Sequence, residues 1–259
     1  MVVWFVGFIR RFAMRVLALY SVKGGVGKTS AAVNLAVLSA MLRRRTLLFD
    51  LDPQGAATWM MGGVLPHGGD LKRLLKGKDS DERLLATRYE HLSLWPNGPE
   101  LADLALEMAE MKHSGSRLKR LLERLSDRFD EVVLDCPPGL GLMADNIFEA
   151  ADELLVPVIP APLSLRAALQ VRDALVARDK APHMQAFLAM VDRRRSLHRD
   201  FVAQHGEDLP EMLPDAIPSS SEIERQTVSR VPVVYAQPRS EAAQAYYRLW
   251  RAVHVPLAD

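Results

Sequence analysis

Ser21-Val22-Lys23-Gly24-Gly25-Val26-Gly27-Lys28-Thr29-Ser30 lies between an apolar run, Arg15 to Tyr20 (RVLALY), and a helix-like stretch that begins at about Thr29. A strand, a Gly-rich turn and a helix N-terminus in that order make a phosphate cradle, because backbone N–H groups and the helix dipole converge on one anion. Glycines are needed there, since the backbone takes unusual φ values and comes close to the phosphates. In such a loop Lys28 reaches the β- and γ-phosphates and the Thr29 hydroxyl takes a place on Mg2+. The stretch departs from G-x-x-x-x-G-K-[ST] at one place, where the first Gly would fall at Val22, and it carries an extra lysine, Lys23.

That departure carries a resemblance. K-G-G-V-G-K-T-S resembles the deviant Walker A motif of the ParA/MinD family of ATPases. The resemblance implies ATP and Mg2+ as ligands, with nucleotide contacts from Lys23, Gly24, Gly25, Val26, Gly27, Lys28, Thr29 and Ser30. It also implies that Lys23 reaches across a dimer interface to the partner's nucleotide. The alternative is a Gly-rich turn without a ligand, but a chance match in a chain of this length is roughly one in ten thousand or rarer.

Composition bounds what else the chain can be. With 259 residues, 49% hydrophobic and 25% charged, it is long enough for one sizeable α/β core. Lys+Arg 33 against Asp+Glu 32 is nearly balanced, so a nucleic-acid contact must come from a local patch. The single cysteine, Cys136, excludes an internal disulfide, a CxxC pair and a multi-cysteine metal site within one chain, which is consistent with a reducing cytoplasm. Residues 1–13 (MVVWFVGFIRRFA) form an extension of uncertain status before a domain expected over 14–259. Nine residues before Arg10 are too few to span a bilayer, and the charges follow the apolar run, unlike a signal peptide. An interfacial anchor through Phe5, Phe8 and Phe12 is one reading. Translation starting at Met14 is the preferred one, and no stable membrane insertion is expected.

The rest of the chain alternates strand and helix patterns. Thr29 to Arg44 reads as a helix whose end is served by Arg43, Arg44 and Arg45. Thr46 to Asp52 reads as a buried strand, and period two puts Asp50 and Asp52 on one side, facing the crevice off the strand ends. A short strand is expected at His91 to Pro96, with helices at Leu101 to Met111 and Leu118 to Phe129. Basic residues exposed there are more often solvated than bound to nucleic acid. Asp130 to Asp135, stopped by Cys136-Pro137-Pro138-Gly139, has the form of a Walker B strand, with Asp135 holding a water on Mg2+. Cys136 reads as a buried filler. Strand–helix units follow at Glu153 to Arg178 and Met184 to Gln204, and Val231 to Tyr235 and Ala242 to Val253 resemble the family's last strand and closing helix. The expected fold is therefore α/β, a mostly parallel twisted sheet with helices on both faces.

The resemblance extends along these segments. Asp50-Leu51-Asp52-Pro53-Gln54-Gly55 resembles the family's switch I, which implies that Asp52 positions the attacking water and Asp50 lies in the outer shell of Mg2+. Both could instead cap the following turn or helix. DCPPGLG resembles switch II. Base and ribose contacts are implied after Met190-Val191-Asp192 and at Ile217-Pro218, so Asp192 and Pro218 join the site, although Asp192 could equally be a loop cap. As a whole the chain resembles the short form of ParA, which implies slow, partner-stimulated ATP hydrolysis and an ATP-bound homodimer. It further implies nonspecific DNA binding on the nucleoid and a ParB-like or other stimulating partner. Candidate DNA contacts are Arg193, Arg194, Arg195 and Arg225, although Ser219 to Glu222 stand where many relatives carry basic residues. The alternative is a ParA-like ATPase positioning a non-DNA cargo or membrane-associated complex. A MinD-like membrane helix, iron–sulfur relatives and amidating synthetases fit the C-terminus, the cysteine count and the lysine signature less well.

Overall fold

The computed structural model describes residues 14–63, 84–97, 114–204, 209 and 211–254. The N-terminal extension, the piece expected around Leu71 and the helix expected at Leu101 to Met111 lie outside the described residues. In chain order the strands are β1 (Arg15–Leu19), β2 (Thr46–Asp50), β3 (Leu85–Ala86), β4 (Leu92–Trp95), β5 (Glu131–Asp135), β6 (Glu153–Val158), β7 (His183–Val191) and β8 (Met212–Pro218). The helices are α1 (Lys28–Met41), α2 (Ala56–Met60), α3 (Arg117–Glu123), α4 (Leu142–Ala150), α5 (Pro162–Val176), α6 (Ser196–Gln204), α7 (Ser221–Ser229), α8 (Val233–Ala236) and α9 (Glu241–His254). The strands form one sheet in the order β3-β4-β2-β5-β1-β6-β7-β8, parallel throughout except for the β3–β4 pair.

Strand alternation divides the core between the two faces. Val16 and Ala18 of β1 point to one side with Phe49, Leu134, Ile147 and Val171, while Leu17 and Leu19 point to the other with Leu35, Val133 and Leu249. Strands β2, β5 and β6 are buried along their whole length, because helices cover both faces and neighbours cover both edges. Helix α1 is buried on nearly every side. It lies between the sheet and α9, and Trp250 of α9 donates to the Ser39 hydroxyl at 2.7 Å.

Four expectations need correction. Helix α1 ends at Met41, and Arg43 takes a left-handed turn (φ 62). Arg44 and Arg45 therefore serve the start of β5, through Glu131 and Asp130, and not the helix dipole. Strand β2 stops at Asp50, which leaves Asp52 in the following turn. Helix α3 ends at Glu123, because Arg45 holds the Asp127 carbonyl and the Asp130 carboxylate and draws that segment into turns. The strand expected at Val231 to Tyr235 is helix α8: Pro232 presets φ at −57, and the Asn34 and Gln226 side chains accept from Val234 and Val233 N–H. The last strand is β8, whose two prolines argue against a strand except at a sheet edge, where it lies.

The opposite end of the sheet from the strand carboxyl ends is closed by buried charge. Glu131 meets His254 at 2.6 Å and Arg44 at 3.2 Å, and Arg15 pairs with Glu153. Burial pushes the Glu131 carboxyl up, but His254, Ser39 and Arg44 together hold it below its ordinary value. With a depressed folded-state pKa, its contribution is present above pH 4.5, the ordinary value, and is lost as pH falls through the lower one. Glu131→Ala strands its partners and should cost about 3–5 kcal/mol in urea unfolding near neutral pH. The gap to wild type should narrow as the wild-type carboxyl is protonated in acid.

Candidate nucleotide-binding site

The chain fills one side of the sheet through β2 and β4, returns through β5, and passes to the other side from β6 onward, so the strand order reverses at β1. Ligands of open α/β sheets sit off the strand carboxyl ends at such a reversal. A cavity of about 690 Å3 lies there. The loop after β1 (Gly24, Gly25, Gly27 to Ser30) forms one wall, with Asp52 after β2 and Pro137 and Pro138 after β5; Met190, Ile217 and Pro218 close the far end.

The loop is anchored by Val26, which is buried, while its glycines face the opening. Gly25 (φ 71) and Gly27 (φ 91) are left-handed, a conformation that side chains strain. A Cβ added at either meets no protein atom within 4 Å, so the loop borders room for an anion. Helix α1 begins at Lys28 with no side-chain cap and no acidic residue in its first turn. Its first N–H groups and the positive end of its dipole are thus left to a ligand. Lys28 is buried beneath the loop and donates to the Lys23 carbonyl at 3.2 Å. Lys23 itself is exposed on the outer edge of the same loop.

Two carboxylates stand behind the cradle because β2 and β5 pair in register, Asp50 beside Asp135. Asp135 is fully buried and no donor reaches either of its oxygens at bonding geometry. Burial first, and then the Asp50 charge, push it up to about 8; the Thr29 hydroxyl offsets part of the rise. Asp50 is also fully buried, and burial pushes it up to about 6 against the restraint of its hydrogen bonds. Its Oδ2 accepts from Thr58 N and Thr58 Oγ1, both at 2.7 Å, and its Oδ1 accepts from Asp52 N at 3.2 Å. Asp52 lines the cavity, and its Oδ1 accepts from Gln54 N at 3.0 Å. Both carboxylates therefore also make the local capping bonds that were the alternative reading.

A buried carboxylate without a donor, next to a hydroxyl at a helix N-terminus, fits a hydrated cation. Among the described residues no three His, Cys, Asp or Glu side chains cluster as a metal site of their own. Mg2+ needs none, since it keeps waters and is shared between one or two carboxylates and substrate phosphates. Thr29 and Asp135 are the residues that would hold it, with Asp50 alongside.

Asp192 needs correction. It does not line this cavity: its carboxylate is held by Arg194 at 2.9 and 3.0 Å, and its N–H donates to His198 Nδ1 at 3.0 Å. The turn before α6 thus takes up the group, which is the loop-cap alternative. Met190 reaches the cavity instead, through a left-handed residue (φ 56) where the β7–β8 register shifts. Arg193, Arg194 and Arg195 are exposed in that turn, and Arg225 is exposed on α7. Cys136 is fully buried and burial pushes its thiol well up, as a filler requires.

Several contributors escaped the sequence reading. Thr58 holds Asp50, Asn97 Nδ2 donates to the Asp52 carbonyl, and the Tyr20 hydroxyl donates to the Gly139 carbonyl after β5. Ile223, Glu224 and Thr227 of α7 line the cavity. Asn34 alone gave a signal, a lone amide inside the apolar run AAVNLAVL.

A strand–cradle–helix unit beside two acidic strand ends defines a P-loop nucleoside triphosphatase. The profile of a family described as an AAA domain matches residues 14–180, and the chain belongs to that family, as an ATPase of ParA/MinD type. It is 29% identical over 245 residues to the chromosome partitioning protein ParA of Myxococcus xanthus, covering 92% of this chain and 87% of the relative. The fold matches an ATP complex of a Cyanothece McdA variant (TM-score 0.82, 20% identity, 96% of this chain and 99% of that one). It also matches cobyrinic acid a,c-diamide synthase from Mycobacterium smegmatis with bound ATP analogue and magnesium (TM-score 0.78, 27% identity, 93% and 94%).

The raised carboxyl at Asp135 has a sign. A folded-state pKa above the unfolded value means that ionisation costs stability, fully above about pH 8 and progressively less as pH falls toward 3.8. Asp135→Asn should therefore raise the unfolding midpoint of the nucleotide-free protein at alkaline pH, by about 2–4 °C for each kcal/mol relieved. The advantage should shrink on acidification. The same variant should lose the further rise that Mg2+ and ATP together give to wild type, measured by differential scanning fluorimetry.

Proposed function

We propose that the chain is a ParA-type switch, in which ATP occupancy controls pairing of two copies and hydrolysis resets it. The observation that carries this reading is the division of labour between two lysines of one loop. Lys28 is buried under the cradle, while Lys23 is exposed at its rim and turned to solvent. One lysine suffices to balance phosphate charge from below, so the second is available to a nucleotide held by a facing copy. Asp52, at the cavity wall, would position the attacking water; Asp50 and Asp135 would set the hydrated metal, with Thr29 as its direct ligand. Bound Mg2+ would neutralise charge between the β- and γ-phosphates. Pro218 lies at the end of the cavity where a base would fit.

The cargo in this reading is DNA. The ParA relative carries chromosome partitioning in its name, and the exposed arginines after β7, with Arg225 on α7, offer phosphate contacts. Such contacts are sequence-independent and salt-sensitive, which suits binding across a nucleoid in the cytoplasm. Reversal would fall to a ParB-like or other partner that stimulates hydrolysis. Among the described residues no helix is long and apolar enough to cross a membrane.

Light scattering should show an ATP-dependent doubling of mass in wild type that Lys23→Ala loses while still binding nucleotide. A charge-assisted hydrogen bond of about 1.5–3 kcal/mol corresponds to tenfold or more in dimer affinity. Lys28→Ala should lose tight triphosphate binding, and Asp52→Ala should pair with ATP but release little phosphate. An ATP-dependent dimer of undiminished affinity in Lys23→Ala would refute the cross-subunit role. DNA retention that ignores both ATP and salt would refute the cargo.

A further inference from the structure

Helix α7 is the wall of the cavity whose lining residues the switch reading leaves without a task. Ile223, Glu224 and Thr227 line the cavity from it. On its inner side Gln226 Oε1 accepts from Asn34 Nδ2 of α1 at 2.8 Å. On its outer end the Trp59 indole N–H of α2 donates to the Thr227 carbonyl at 3.0 Å. The Arg230 guanidinium, just past the helix, lies 3.6 Å from the centre of the same indole ring. Arg230 closes α7 in a left-handed conformation (φ 55), a position where glycine would be unstrained.

Trp59 is 55% exposed, so burial of its ring does not account for this arrangement. Its neighbour Thr58 faces the other way and gives both of its donors to Asp50 Oδ2. Two consecutive residues of one short helix therefore hold the metal-side carboxylate and the opposite wall. A helix of five residues has little stability of its own and follows the groups to which it is tied. Displacement of α7 by a ligand must pull on Trp59, and through Thr58 on Asp50.

We propose that Trp59 is a positioning residue that couples filling of the α7 end of the cavity to the setting of Asp50 at its phosphate end. The inference rests on the reading of this cavity as the ATP site. Trp59 touches neither the phosphates nor the metal in this scheme; it acts through α7 and Thr58.

Two variants separate its contacts. Trp59→Phe keeps a ring under Arg230 and removes the N–H, whereas Trp59→Ala removes both. With a fluorescent ATP analogue and Mg2+ in stopped flow, Trp59→Phe should release nucleotide about three- to tenfold faster, as loss of one neutral hydrogen bond implies. Trp59→Ala should be faster still, and kcat at saturating ATP should fall in the same order. Arg230→Lys should retain more of wild-type behaviour than Arg230→Ala, since it keeps the charge over the ring. A merely structural role would instead lower the unfolding midpoint of the nucleotide-free chain in proportion, and the half-exposed ring should leave that midpoint nearly unmoved. ATP should also change tryptophan emission in wild type, and the change should vanish in Trp59→Phe, where the other tryptophans remain. Wild-type release rates and kcat in both Trp59 variants, or a fall in midpoint that accounts for the faster release, would overturn this inference alone. Failure of the wild-type chain to bind the nucleotide would overturn the reading of the site and this inference with it.

Discussion

Asp50 and Asp135 are held side by side by the register of two neighbouring parallel strands, both fully buried. Like charges in low dielectric repel, and the register is fixed at the other end of the strands, where Arg44 pairs with Glu131 and Arg45 with Asp130. Relief has to come from what surrounds the pair. Asp50 receives it from Thr58 and from the Asp52 backbone; Asp135 has only the nearby Thr29 hydroxyl, which does not reach bonding geometry. The remaining source of positive potential is the N-terminus of α1, where Lys28, Thr29 and uncapped N–H groups gather. The fold thus carries an electrostatic demand at one spot that a metal and a triphosphate answer together, and ligand binding and stability are linked through it.

Helix α1 transmits that demand into the body of the protein. It is apolar on almost every side, so it is packed between sheet and α9 with no freedom to rotate, and its few buried polar groups act as pins. Ser39 is met by Trp250, and Asn34 by Gln226 and the Val234 N–H. An unsatisfied amide there would cost about 1–3 kcal/mol, so these contacts set orientation more than they add stability. Through Asn34 the helix that presents the cradle is joined to α7, and through Trp59 α7 is joined to the helix that holds Asp50 in place. The cavity is enclosed by a ring of contacts in which loop, carboxylate and far wall each bear on the next.

Much of this was legible in the residues. The loop from Ser21 to Ser30, the acidic ends of two apolar runs and the alternation of strand and helix patterns were enough for the fold class and the phosphate end of the site, because each depends on local rules: glycine where φ is positive, apolar period where a strand is buried, a breaker where it ends. Elements governed by distant partners were not. Val231 to Tyr235 has strand composition, yet Val233–Ala236 folds as a helix because Asn34, some two hundred residues away, and Gln226 of the preceding helix take its first N–H groups. Met212–Pro218 reads poorly as a strand and becomes one at an edge that tolerates proline. Asp192 is implied in the site by the family resemblance alone, and the turn into α6 uses its carboxylate, through Arg194, as the loop-cap alternative has it.

By itself the sequence determined that a phosphate cradle precedes a buried helix and that two carboxylates follow at strand ends, since these are matters of spacing along one stretch of chain. Only the tertiary structure decided which carboxylate keeps its oxygens free of donors, which lysine is covered and which faces outward, and that α7 closes the cavity. Those outcomes depend on strand register and on side-chain bonds between segments more than a hundred residues apart, such as Asn34 to Gln226 and Trp59 to Thr227, whose energies no local pattern records.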